Sequence, residues 1–140
     1  MSKFARRCAA LMLAVVLLAA LPEQECERIT SQLSFKPYTD NTIREEAELL
    51  RQVAEVRVRG YALDHGEHVA DCQCLAVPIY DYTRKVMAAM SISGHNLLGN
   101  HSEEFIYEKM HEAAMELSHR MGYTEPRQQS CRNKAAMPGK

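Results

Sequence analysis

Neither sign of charge is in excess in this sequence. It has 17 Lys and Arg against 18 Asp and Glu, a formal net charge of −1. A chain so balanced gives no electrostatic case for binding nucleic acid. It also lacks a Gly-rich phosphate loop and a Gly-x-Ser-x-Gly elbow, the usual sequence signs of nucleotide binding and serine acyl transfer. No internal repeat is found. Five cysteines (Cys8, Cys26, Cys72, Cys74 and Cys131) make an odd number without the pattern of a small disulfide scaffold. The simplest reading is reduced thiols in the cytosol.

Metal and catalytic signatures are missing too. Asp64, His65, His68, Cys72 and Cys74 form the one cluster of metal-ligand types, and their spacing fits no familiar zinc pattern. Cys72 and Cys74 are two apart, so on a strand they share a face, and they are not a Cys-x-x-Cys pair. A nucleophilic Cys74 would need a base and an orienting third group. Glu45–Glu46 and Glu103–Glu104 are adjacent on helices and diverge, so neither is a catalytic pair. The chain reads as a non-enzyme with no cofactor and no metal.

What is present is a globular composition, 46% apolar and 25% charged, with room for one domain and one modest core. Residues 1–21 are ambiguous. Lys3, Arg6 and Arg7 precede an apolar run from Cys8 to Leu21, the outline of a secretory signal. The run is short for a membrane span, and no Ala-x-Ala cleavage site follows it. Two readings stay open: a helix buried in a cytosolic domain, or a signal or membrane anchor.

Pro22 can open a second helix to about Leu33, with Glu23 and Glu25 near its positive end. Thr42-Ile43-Arg44-Glu45 is a capping box. It starts a helix with Ile43, Ala47, Leu50 and Ala54 on its apolar face and Val53 beside them; Gly60 is its natural stop. Arg57 and Arg59 in its last turn read as solvated charges. Ser102 is a good N-cap for a last helix with an apolar stripe of Ile106, Met110, Ala113, Leu117 and Met121, stopped by Gly122. Residues 124–140 are polar, basic and aperiodic, the composition of a disordered tail.

Between these helices lie three strands. Tyr61–Asp64 is the first and Gln73–Tyr80 the second, with Leu75, Val77 and Ile79 on one face and Cys74, Ala76 and Pro78 on the other. Pro78 cannot donate to a ladder, so this strand is at an edge or bulged there. Asp81–Arg84 turns the chain into a third strand, Lys85–Ser93, with Met87, Ala89, Ser91 and Ser93 on one face. The small faces of the second and third strands can lie side by side, making a floor with room above it. A few fixed polar groups (Asp64, Cys74, Ser91 and Ser93) among apolar neighbours suit a small-molecule pocket. The plain alternative is a surface Asp and strand-filling Ser.

Three pieces of this stretch carry a resemblance: Arg59-Gly60-Tyr61-Ala62-Leu63-Asp64, Cys74-Leu75-Ala76-Val77-Pro78-Ile79, and Ala88-Ala89-Met90-Ser91-Ile92-Ser93-Gly94. Together they resemble the C-terminal effector-binding domain of IclR-type bacterial transcriptional regulators, with a looser likeness over residues 17–123. The resemblance implies an α+β fold related to GAF and PAS modules, an antiparallel sheet packed with helices. It implies binding of a small organic acid or sugar-acid metabolite, with ligand contacts at Asp64, Cys74, Ser91 and Ser93. The family position two before the Cys also lines the pocket, and here it is Cys72. The family's Gly-Lys-Ala wall is Ala14-Val15-Val16 here, and Met12 and Leu13 occupy wall positions.

The resemblance also implies a homo-oligomer or pairing with a full-length regulator, in the cytoplasm. No helix-turn-helix stands in these 140 residues, and neither does the sheet-forming segment that follows it in the family. This chain alone is therefore not expected to contact DNA, and an open sheet edge would favour pairing with another chain. A non-sensing interaction fragment and an exported small protein are the alternatives.

Overall fold

The computed structural model describes residues 3–33, 46–66 and 72–127. Their elements run α1 (Lys3–Ala19), α2 (Glu23–Thr30), α3 (Glu46–Arg59), β1 (Ala62–Asp64), β2 (Cys72–Tyr80), β3 (Val86–His95), α4 (Leu97–Asn100) and α5 (Glu103–Arg120). The fold is α+β. Among the described residues the sheet has three antiparallel strands in the order β1-β2-β3.

The alternation in β2 decides the layers. Cys74 and Ala76 join Ala62 in a core with Cys8, Met12, Val15 and Val16 of α1 and Leu49, Val53 and Val56 of α3. Leu75, Val77 and Ile79 point the other way and pack with Leu63 on Ile106, Met110 and Ala114 of α5. Both faces of β2 are thus covered by helices. A fully buried Leu75 in such a place is worth about 2–5 kcal/mol against Ala.

β2 is the central strand of the sheet, yet at Pro78 its β1 side is a local edge among the described residues, as expected for proline. β1 pairs with it only from Cys74 to Ala76, so Pro78 lies beyond β1 with Ala89 of β3 opposite. A register irregularity follows at Ile79/Tyr80. The backbone N–H of Tyr80 donates to Ser118 Oγ at 3.0 Å, and that hydroxyl donates to Ala114 O at 2.7 Å. A buried serine on α5 therefore supplies a partner at the irregularity, which apolar periodicity cannot anticipate.

Helix ends follow simple chemistry. Ser102 Oγ accepts from Phe105 N at 3.2 Å and opens α5. Gly122, at φ +88°, closes it, with Tyr123 N bonded to Ser118 O at 2.9 Å. Pro22 is the N-cap of α2, one position before the helix proper. Arg57 is exposed, as its place in the last turn implies, and its guanidinium also donates to Ala19 O and Leu21 O, so it caps the end of α1 from α3. Arg59 likewise donates to Tyr61 O at 3.0 Å and lies over the Tyr61 ring.

Two helix faces differ from the sequence reading. In α3 the buried residues are Leu49, Gln52, Val53 and Val56, while Ala47 and Ala54 are exposed. In α5 they are Ile106, Met110, Ala114 and Ser118, while Leu117 and Met121 are exposed. In α3 Val53 is buried as expected and the rest of the stripe lies one position away. In α5 Ile106 and Met110 are buried as expected and only the second half, Ala114 and Ser118 in place of Ala113 and Leu117, lies one position on, because alanine marks a face weakly and buried Gln52 and Ser118 break the apolar pattern. The capping box at Thr42–Glu45 and the residues after Arg127 lie outside the described residues. No helix among the described residues is long and apolar enough to cross a membrane.

Candidate effector site

Three residues singled out from the sequence form one row across the sheet. Asp64 of β1 lies opposite Cys74 of β2, and Cys74 lies opposite Ser93 of β3. The next row is Ala62, Ala76 and Ser91. On the other side Cys72 lies opposite His95. Directly opposed antiparallel residues share a face, so Asp64, Cys72, Cys74, Ser91 and Ser93 all face the α1 side.

α1 is the roof of this floor. The sequence reading left room above it; over Cys74 and Ala76 the structure fills that room with Cys8, Met12, Val15 and Val16. The small side chains of the sheet let the helix settle close. Met12 is fully buried and Leu13 half-buried against the same core. Ser91 and Ser93, on the far strand, remain half-buried. The row is thus closed at its Asp64 end and more accessible at its serine end.

Asp64 is fully buried and satisfied from within the chain. Its Oδ2 accepts from Cys8 Sγ at 2.6 Å and its Oδ1 from Gly66 N at 2.8 Å. The second bond shapes the turn after β1, where Gly66 has φ +102°. Cys8 was not singled out in the sequence, although it sits four residues before Met12 and therefore on the same helix face.

Three buried thiols, Cys8, Cys72 and Cys74, thus gather around one carboxylate. The Cys8 thiol is pushed far up from its ordinary range, first by its hydrogen bond with Cys74, then by burial and by Asp64. Cys72 is pushed up by burial, then by Cys74 and Asp64. Such thiols are poor nucleophiles. No group of three or more His, Cys, Asp or Glu among the described residues is placed to hold a metal ion. His68 lies outside the described residues.

A family model described as bacterial transcriptional regulator IclR C-terminal matches residues 8–119. The HTH-type transcriptional regulator KdgR of Dickeya chrysanthemi is 38% identical over 109 residues, covering 77% of this chain and 36% of that protein. KdgR of Escherichia coli K12 is 36% identical over 111 residues, covering 77% of this chain and 41% of that protein. Among solved structures, the C-terminal domain of E. coli KdgR matches with TM-score 0.70 at 35% identity, over 80% of this chain and 69% of that one. The Thermotoga maritima IclR structure matches with TM-score 0.68 at 33% identity, over 86% of this chain and 47% of that one. The chain therefore spans well under half the length of these curated relatives, which are named as regulators and not as enzymes.

Proposed function

Because the chain belongs to the bacterial transcriptional regulator IclR C-terminal family and carries its effector-binding domain, we propose that it senses a small organic acid or sugar acid on the α1 face of its sheet. The observation that carries this reading is the Asp64–Cys74–Ser93 row with Ser91 beside it, a line of polar atoms in an otherwise apolar face. A pocket that is mostly apolar with a few fixed polar groups is the usual form of a metabolite site.

The two serine hydroxyls donate to the ligand carboxylate from the accessible end. Asp64 accepts from a ligand hydroxyl once Cys8 yields to it. Cys72 and Cys74 line the floor, and Met12 and Leu13 form the wall that sets ligand size. Entry of a ligand therefore requires the Cys8–Leu13 part of α1 to shift. We further propose that the chain works in the cytoplasm, as a homo-oligomer or paired with a longer regulator, and makes no direct DNA contact itself. The net charge of −1 supports the last point.

A thermal-shift panel of small carboxylates tests the sensing reading. At least one acid should raise the melting temperature of the native sequence, and both Asp64→Ala and a Ser91→Ala/Ser93→Ala pair should remove that rise. A flat response across hydroxy, keto and sugar acids would contradict it and favour a non-sensing interaction fragment.

A further inference from the structure

The end of the sheet farthest from the serine row holds a cleft of about 780 Å³. Ser93 and Ser91 lie opposite Cys74 and Ala76, six and four positions before Tyr80 on β2, so roughly 13–20 Å of strand separates the two places at ~3.3 Å per residue. The volume falls in the range of roughly 300–1,000 Å³ typical of small-molecule sites. Leu17 and Leu21 line it from the end of α1, and Tyr80 and Val86 line it from the β2–β3 hairpin. Leu17 is 42% exposed, so it brings apolar surface that the fold leaves wet.

The rim carries charge of one sign. Arg84 and Lys85 are both among the lining residues, and among the described residues that line the cleft none is acidic. An adjoining hollow of about 220 Å³ shares Ala20, Tyr80 and Val86 with it and adds a third cation, Arg57. On a chain with net charge −1 this local excess of cations is a distinct feature. Arg84 is also held in place. Its backbone turns through φ +64°, its N–H donates to Asp81 O at 3.0 Å, and its Nε donates to Thr124 O at 2.9 Å.

We propose that this cleft is a second ligand site, which takes an amphipathic organic anion: a medium-length aliphatic or aromatic body on Leu17, Leu21, Tyr80 and Val86, with its acid group at Arg84 and Lys85. The site is independent of the serine row.

Fluorescence titration of the purified chain with 1-anilinonaphthalene-8-sulfonate, an apolar anion, tests it. Binding should saturate at one site and be displaced by decanoate, but not by decanol at the same concentration. Arg84→Glu/Lys85→Glu should weaken it at least about tenfold, the scale of a charge contact reversed at a partly screened rim. Lys85→Glu alone, at an exposed position, should weaken it in the same direction with an unchanged circular dichroism spectrum. The Ser91→Ala/Ser93→Ala pair should leave it unchanged. Equal binding by both charge variants, equal displacement by decanol, or loss of binding in the serine pair would each overturn the proposal. Because the serine pair reads the other site, failure here is distinguishable from failure of the effector reading.

Discussion

Cys8 Sγ donates to Asp64 Oδ2 at 2.6 Å, joining the first half of α1 to the last residue of β1. Both groups are fully buried, so the contact holds the roof of the site against its floor. Cys8→Ala removes one partner of a buried carboxylate. The expected cost is about 1–3 kcal/mol, the usual penalty for a buried polar group that loses a hydrogen bond. It should appear in urea denaturation as a lower midpoint at unchanged slope. An unchanged midpoint would mean that the thiol contributes nothing to holding α1.

The four thiols among the described residues should be inert in the folded chain. Cys8, Cys26, Cys72 and Cys74 are buried, and Cys8 and Cys72 are held in the neutral form. Treatment with dithionitrobenzoate at mildly alkaline pH, followed by peptide mass analysis, should find these four unlabelled until the chain is unfolded. Rapid labelling of Cys72 or Cys74 in the folded chain would show that α1 does not stay on the sheet.

Ser118→Ala should destabilise the fold far from the effector row. The substitution leaves the Tyr80 N–H without its Ser118 Oγ partner at the irregular end of β2. A loss of about 1–3 kcal/mol is expected in chemical denaturation. Ligand affinity at the serine row should be unchanged. A neutral Ser118→Ala would mean that solvent replaces the hydroxyl at that position.

The Tyr61 phenol gives a pH signature. Burial, and then its hydrogen bond to Glu103, push its pKa from 10.0 up to about 12. A folded-state value above the unfolded one means that the folded chain holds the proton more tightly. The contribution is whole below about 10 and is lost as the pH rises towards 12. Absorbance titration should show a late-ionising tyrosine that disappears in Tyr61→Phe. The alkaline fall in stability should also be shallower in that variant. A native titration curve unchanged by the substitution would contradict this placement.

The strands were legible because their code is short. The alternation in β2 separates Cys74 and Ala76 from Leu75, Val77 and Ile79, and the structure sends these two sets to two different cores. The small faces of β2 and β3 meet as their patterns require, but the register that puts Asp64, Cys74 and Ser93 in one row is set by the strand pairing and not by the alternation. What stood above that row could not. Nothing in the spacing of α1 says that Cys8 aims at Asp64 or that Met12 closes the floor, since both facts depend on how the helix crosses the sheet. Val53, Ile106 and Met110 follow from the apolar period, but most of the α3 face and the second half of the α5 face lie one position off it, because Ala47, Ala54 and Ala113 resemble core while Gln52 and Ser118 do not. The second role of Arg57 was not legible because its partners, the carbonyls of Ala19 and Leu21, lie at and just beyond the end of α1, far away in sequence.

Amide chemical-shift mapping of the labelled chain, titrated with a small organic acid from the thermal panel, tests the central claim most directly. The account predicts saturable shifts concentrated at Cys72, Cys74, Ser91 and Ser93 and along Cys8–Leu13 of α1, all lost in the Ser91→Ala/Ser93→Ala pair. Shifts confined to Leu17, Leu21 and Arg84–Val86, or saturable binding with no shift on β3 between Ser91 and Ser93, would contradict it.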